Sequence, residues 1–208
     1  MSTIVNEMLR FQKSELRKTM RGHLNDFTRN STSVHGCSAN AQKRFLSSDI
    51  YAACETLLAF ISIETEPGSV PLITKAVGDG KLVAVPRVLG PDMEFFRLNP
   101  NLSLDSQLIT GCFGIGEPDE NTERVLLSDL QGDVLVMVPG LSFSTNGKRL
   151  GKGRGYYDRF LAELCIACRN RVIAVGYCFD FQIRQHIPAG SMDMPMDYVI
   201  TDKRVISC

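Results

Sequence analysis

The stretch VPGLSFSTNGKRLGKGRGYYDRF, from Val138 to Phe160, decides how the rest of the chain is read. The run Asp133-Val-Leu-Val-Met-Val138 leads into it and is expected as a buried strand, while a helical pattern opens at about Tyr156. Between them lie Gly140, Gly147, Gly151, Gly153 and Gly155, with Lys148, Arg149, Lys152 and Arg154 interleaved. The order is therefore strand, glycine-rich cationic loop, helix start.

Two readings of this loop stand side by side. Glycines leave backbone amides uncovered and can wrap a phosphate chain, and a helix start adds unpaired N–H groups and the positive end of its dipole. Asp158, in the first helical turn, can hold a metal ion bridged to phosphates. Equally, the glycines can serve a solvated turn in which Asp158 only complements the helix dipole. Composition alone leaves both open. Neither common phosphate fingerprint fits. Gly147-Lys148 is followed by Arg149, with Ser142 where a Walker loop has glycine, and Gly151, Gly153 and Gly155 lack the dinucleotide spacing.

In its order of residues the stretch resembles the signature of the 5-formyltetrahydrofolate cyclo-ligase family, also called methenyltetrahydrofolate synthetases. Val138-Pro-Gly-Leu-Ser-Phe143 matches a V/M-P-G-L-x-F segment, and Arg149-Leu-Gly-Lys-Gly-Arg-Gly-Tyr-Tyr-Asp158 matches R-L-G-R-G-x-G-Y-Y-D. Weaker matches continue in the same order, from Lys13-Ser-Glu-Leu-Arg17 near the start to Asp193-Met-Pro-Met-Asp197 and Thr201 near the end.

Composition bounds the class. With 208 residues, 44% hydrophobic and 22% charged, the chain is expected to form a single domain around one core. Its net charge of zero calls for neither nucleic acid nor an anionic membrane. The apolar runs, such as Leu57 to Ile63, fall far below the roughly 18 residues of a membrane span. Seven cysteines, an odd number, and no recognisable secretory leader point to reduced thiols in the cytosol. The first 46 residues carry eight Lys and Arg against three Asp and Glu, so a mitochondrial leader is the alternative; Glu7, Glu15 and Asp26 speak against it. Cys165 and Cys168 form C-x-x-C without a second pair and read as small core residues.

Along the chain, Thr3 to Leu24 is expected as a helix with an apolar stripe of Ile4, Met8, Phe11, Leu16, Met20 and Leu24. Lys13, Arg17 and Arg21 recur every fourth residue, which on periodicity alone is a solvated face. Asn25 to Asn40 reads as a polar loop, Ala41 to Leu57 as a helix, and Leu58 to Ile63 as a buried strand delivering Glu64, Thr65 and Glu66 into a loop. A helix over Ser69 to Val77 follows, then strands Lys81 to Pro86 and Met93 to Leu98. After the central loop come a helix from Tyr156 to about Asn170, with Tyr157, Phe160, Leu161, Leu164, Cys165 and Cys168 toward the sheet, and a strand from Arg171 to Tyr177. Asp197 opens the last strand. About five strands alternating with helices predict an α/β fold, Rossmann-like and three-layered, with a mainly parallel sheet.

The resemblance adds roles that pattern alone does not. It implies ATP-dependent, magnesium-dependent conversion of 5-formyltetrahydrofolate, with or without a polyglutamate tail, to 5,10-methenyltetrahydrofolate. Phosphate contact and catalysis then fall to Lys13, Arg17, Lys152 and Arg154. Arg149, Gly151, Gly153, Gly155, Tyr156, Tyr157 and Asp158 join Lys13, Arg17, Lys152 and Arg154 in the ATP site, and Asp158 and Asp193 hold magnesium. Glu66 is the expected pterin carboxylate, with Glu64 as substitute and helix capping as the plain alternative. Met93, Phe95, Gly140 and Tyr157 complete the folate site; Arg87 flanks it, and the turn Cys112 to Pro118 can close over an elongated ligand, with simple chain reversal as the plain alternative. Lys152 stands where Arg is common in the family. A monomer is expected. The rivals are a non-catalytic folate or nucleotide binder of the same fold, and an isomerase or acyl-CoA transferase for which Glu66 is the one carboxylate to nominate.

Overall fold

The computed structural model describes residues 2–29, 31–111, 114–119, 121–130, 132–168 and 171–208. In chain order the elements are α1 (Ser2–Thr28), α2 (Ser31–Leu46), α3 (Asp49–Ala53), β1 (Thr56–Leu58), α4 (Val70–Gly78), β2 (Leu82–Leu89), β3 (Asp92–Arg97), β4 (Leu108–Thr110) and β5 (Gly116–Pro118). They continue with β6 (Val134–Val138), β7 (Ser142–Phe143), β8 (Arg149–Leu150), α5 (Tyr156–Ala167), β9 (Val172–Tyr177), β10 (Tyr198–Ile200) and β11 (Val205–Ser207).

Among the described residues, seven strands make the central sheet in the order β11-β10-β9-β6-β1-β2-β3. The strands from β10 to β2 are mutually parallel, and β11 and β3 close the edges antiparallel. Every residue of β6 is 0% exposed, as an unbroken apolar strand covered on both faces must be. Its alternation sorts the core into two layers. Leu135 and Met137 pack with Phe45, Tyr51, Leu72 and Ile73 from α2, α3 and α4. Val134, Val136 and Val138 pack with Phe160, Leu161 and Leu164 of α5. The mainly parallel, three-layer α/β expectation holds.

From β1 the chain moves outward to β2, then returns across the sheet to β6 and runs the other way to β9 and β10. The reversal lies between β1 and β6, which are hydrogen-bonded neighbours with Leu57 opposite Leu135. Their carboxyl ends release the Glu66 loop and the glycine loop side by side, where sheets of this kind open a crevice. Helix α1 lies over this point. Met20 and Leu24 are buried with Leu141, Leu150 and Ile187, and Phe27 sits 4.8 Å from the rings of both Phe179 and Phe181.

Several local expectations are corrected. Asn25 to Asn40 is not a loop: α1 runs on to Thr28 and α2 begins at Ser31, its polar turns held by Ala41 and Phe45, one helical turn apart and both 0% exposed. The helix expected over Ala41 to Leu57 breaks at Ser47-Ser48, where the Ser48 hydroxyl accepts from Tyr51 N at 3.3 Å and starts α3. Leu57 belongs to β1, which ends at Leu58, so the apolar run to Ile63 is mostly the exit from the strand. On α1, Ile4, Met8 and Phe11 are exposed, and only the later part of the stripe reaches the core. Cys168 is buried but Cys165 is exposed. Strand β11 follows the strand that Asp197 introduces; the Asp197 carboxylate accepts from Ala174 N at 2.7 Å and ties that strand to β9. Asn170, Cys112 and Phe113 lie outside the described residues. Among the described residues no helix is long and apolar enough to cross a membrane.

Gly147 turns the chain between β7 and β8 at φ +78°, and an added Cβ would lie 2.4 Å from Met196 O. Gly147→Ala is expected to cost about 3 kcal/mol in urea unfolding, combining left-handed strain with a backbone shift. Gly22→Ala, in an open position of α1 with nothing within 4 Å, is expected to stabilise by about 0.5–1 kcal/mol.

Candidate active site

A cleft of about 730 Å³ opens at the crevice between β1 and β6. Helix α1 forms one wall with Arg10, Lys13 and Arg17; the exit of β1 gives Ile61, Ile63 and Glu66; β2 and β3 give Pro86, Val88 and Met93. The glycine loop from Arg149 to Asp158, together with Asp193, forms the floor.

Charge in this cleft is organised in pairs. Lys13 Nζ lies 2.5 and 2.7 Å from the two carboxylate oxygens of Asp193, Arg149 Nη2 is 2.8 Å from Asp158 Oδ1, and Lys152 Nζ is 2.8 Å from Glu66 Oε1. The loop backbone is tied to α1 as well. Arg17 Nε donates to Gly151 O at 3.0 Å and Arg21 Nη2 to Lys152 O at 3.4 Å. Burial first, and then the neighbouring Arg21, lower the pKa of Arg17 from its ordinary value.

Arg149 is the structural hub, with a side chain only 5% exposed. Besides Asp158 it donates to Pro139 O at 3.2 Å and stacks over the Tyr157 ring at 5.7 Å, joining the exit of β6 to the start of α5. Gly155, at φ +71°, makes the left-handed turn that lets α5 begin there. Asp158 also accepts from Met194 N at 3.2 Å, and Asp193 from Gly190 N at 2.5 Å, so the two carboxylates are held by one short segment at the end of the cleft.

Among the described residues, two buried side-chain donors have no hydrogen-bond partner: Arg149 Nε and the Tyr157 hydroxyl. Burial, and next the charge of Glu66, push the Tyr157 phenol far above its ordinary pKa. It therefore stays protonated, a donor at the cleft wall that a ligand acceptor can satisfy.

The model of the 5-formyltetrahydrofolate cyclo-ligase family matches residues 10–202. The chain belongs to that family. It is 34% identical to the 5-formyltetrahydrofolate cyclo-ligase of Escherichia coli K12 over 151 residues, covering 72% of this chain and 79% of that one. Similarity to a probable 5-formyltetrahydrofolate cyclo-ligase of Schizosaccharomyces pombe extends further, at 26% identity over 94% of this chain and 97% of the relative. The NMR structure of Aquifex aeolicus 5,10-methenyltetrahydrofolate synthetase superposes with a TM-score of 0.74 at 28% identity, covering 94% of this chain and 92% of that one.

Most of the residues that the cyclo-ligase signature pointed to line this one cleft: Lys13, Arg17, Glu66, Met93, Arg149, the loop from Gly151 to Asp158, and Asp193. Three do not. Phe95 is 1% exposed and packs against Phe160 with ring centroids 4.6 Å apart, further along β3 from the cleft than Met93. Gly140 lies behind the wall, its carbonyl accepting from Gln182 Nε2 at 2.9 Å, and an added Cβ would come 2.7 Å from the Phe143 ring. Arg87 points away from Pro86 and Val88 and reaches Pro118 O at 3.4 Å. Of the two acidic candidates, Glu64 is exposed and outside the lining, whereas Glu66 is buried within it.

Arg10, Ile61 and Val88 line the cleft without having been singled out. Arg10 was within reach of the pattern, since it lies three residues before Lys13 and seven before Arg17 on one helical face. Among the described residues no three His, Cys, Asp or Glu side chains gather as a metal cage. Asp158 and Asp193, two carboxylates beside a glycine-rich cationic loop, could hold a magnesium ion, which needs only one or two carboxylates.

Because Asp158 is the counter-charge of a buried guanidinium, Asp158→Ala is expected to cost about 3 kcal/mol in chemical denaturation. Asp158→Asn, whose amide oxygen still accepts from Arg149 and from Met194 N, is expected to cost less than half of that.

Proposed function

We propose that the chain is a single cyclo-ligase domain that uses ATP and magnesium to convert 5-formyltetrahydrofolate to 5,10-methenyltetrahydrofolate, releasing ADP and phosphate. The convergence of the glycine-loop cations, the α1 cations and two carboxylates on one cleft carries this reading. An N-formyl group is a poor electrophile because its nitrogen lone pair is delocalised, and its oxygen is a poor leaving group. Transfer of the γ-phosphoryl to that oxygen corrects the second defect and draws electron density from the carbon. Nitrogen 10 of the folate then attacks the activated carbon intramolecularly and gives up its proton, and the C–O bond breaks as phosphate leaves with that proton.

Since the substrate supplies both nucleophiles, the protein has to align formyl oxygen with γ-phosphorus, screen charge and exclude water. Lys13, Arg17, Lys152 and Arg154 serve the phosphates, with the Gly151 to Gly155 amides beside them. Glu66 accepts from the amino and ring N–H groups of the pterin, and Ile61, Val88 and Met93 offer it an apolar wall. The unpartnered Tyr157 hydroxyl is placed to donate to a ligand oxygen. Asp158 and Asp193 would hold magnesium, which when bound neutralises phosphate charge. A non-catalytic binder would have little use for paired carboxylates beside a phosphate loop. Neither an isomerase nor an acyl-CoA transferase would depend on ATP.

With purified protein, 5-formyltetrahydrofolate and magnesium, the near-ultraviolet absorbance of the methenyl product is expected to grow only when ATP is added, and not in Asp158→Asn. Absence of growth in the wild type with folate still bound would leave only the binder. Lys152→Ala is expected to lower kcat about a hundredfold while changing folate affinity much less; an unchanged kcat would remove Lys152 from the phosphate site.

A further inference from the structure

Lys152 and Glu66 are assigned to different ligands, yet they hold each other. Lys152 sits in the loop that serves the phosphates, whereas Glu66 is the carboxylate that serves the pterin. The Glu66 side chain is 7% exposed and both of its oxygens are engaged, Oε1 by Lys152 Nζ at 2.8 Å and Oε2 by Ile63 N at 3.1 Å. A forked pair of pterin N–H donors needs an open carboxylate edge. The bond to Ile63 belongs to the Glu66 loop itself, so the partner that must yield is Lys152.

The geometry shows which part can move. The backbone on both sides of the Lys152 Cα is held, since Arg17 and Arg21 bind the carbonyls of Gly151 and Lys152. The Lys152 side chain is 44% exposed and has a flexible four-carbon stem. Its ammonium can swing while the loop stays in place. The other two pairs differ in kind. Lys13–Asp193 and Arg149–Asp158 each join groups assigned to the phosphate and metal end of the cleft, so their rearrangement concerns one ligand.

We propose that the Glu66–Lys152 ion pair is a latch between the folate and nucleotide halves of the cleft: folate breaks it at Glu66 and hands the Lys152 ammonium to the triphosphate. The inference rests on the cyclo-ligase reading and adds to it a coupling. Folate tightens nucleotide binding, and by linkage nucleotide tightens folate binding by the same factor. With folate absent, a buried carboxylate withholds one of the phosphate cations.

Calorimetric titration of the full chain with the magnesium complex of a non-hydrolysable imido analogue of ATP tests this. In the wild type, 5-formyltetrahydrofolate is expected to tighten the analogue about tenfold. Glu66→Gln keeps an acceptor for Ile63 N but loses the ion pair, so without folate it is expected to bind the analogue about tenfold more tightly than the wild type. Lys152→Met is expected to bind it weakly and equally with and without folate, and adding Glu66→Gln to Lys152→Met is expected to change nothing further. The latch is overturned if Glu66→Gln leaves the affinity unchanged. It is also overturned if Glu66→Gln tightens the analogue equally in the Lys152→Met background, because the effect would then be direct repulsion between Glu66 and phosphate. Failure of the wild type to bind the analogue at all would instead overturn the cyclo-ligase reading, and the latch with it.

Discussion

A guanidinium almost fully removed from water has to be met by fixed partners, and Arg149 meets that demand in a way that shapes the whole site. Its bonds to Pro139 O and Asp158, with the Tyr157 ring alongside, join the end of a buried strand to the first turn of α5. The glycine loop is thus closed at both ends by one side chain. Leaving either charge alone in that setting costs several kcal/mol. Asp158 consequently has two duties, as counter-ion of the hub and as a carboxylate at the end of the cleft.

The sheet imposes the second constraint. Chain reversal between β1 and β6 sets two strand ends beside each other, and most of what is proposed for the chemistry hangs from those ends or from the helix laid across them. Asp193 is added by the segment before β10, and Val88 and Met93 by β2 and β3. Hydrophobic residues on α1 seat that helix on the hairpin carrying Leu141 and Leu150, and its arginines then bind loop carbonyls. Packing and polar contacts agree on one position for the helix. The basic face that periodicity assigns to solvent becomes a wall of the cleft.

What could be read from the residues follows from how local each signal is. Val134 to Val138 announces a strand buried on both sides because every position is apolar, and Arg149 to Asp158 announces a loop with a particular chemistry. Ser31 to Asn40 was illegible as helix because its residues are polar and small, and its fold rests on Ala41 and Phe45 reaching a distant core. In β3, Met93 and Phe95 share a face, and sequence alternation cannot tell that one ends at the cleft and the other under Phe160. Pairings such as Lys152 with Glu66, 86 residues apart, exist only once the chain has folded.

The composition of the cleft wall has one more consequence. Among the described lining residues, six are Lys or Arg and four are Asp or Glu, so the cavity carries an excess of about two positive charges although the chain as a whole is neutral. A doubly negative guest leaves such a cavity electroneutral. A cavity so biased favours anionic guests over neutral or cationic ones before any individual contact is made.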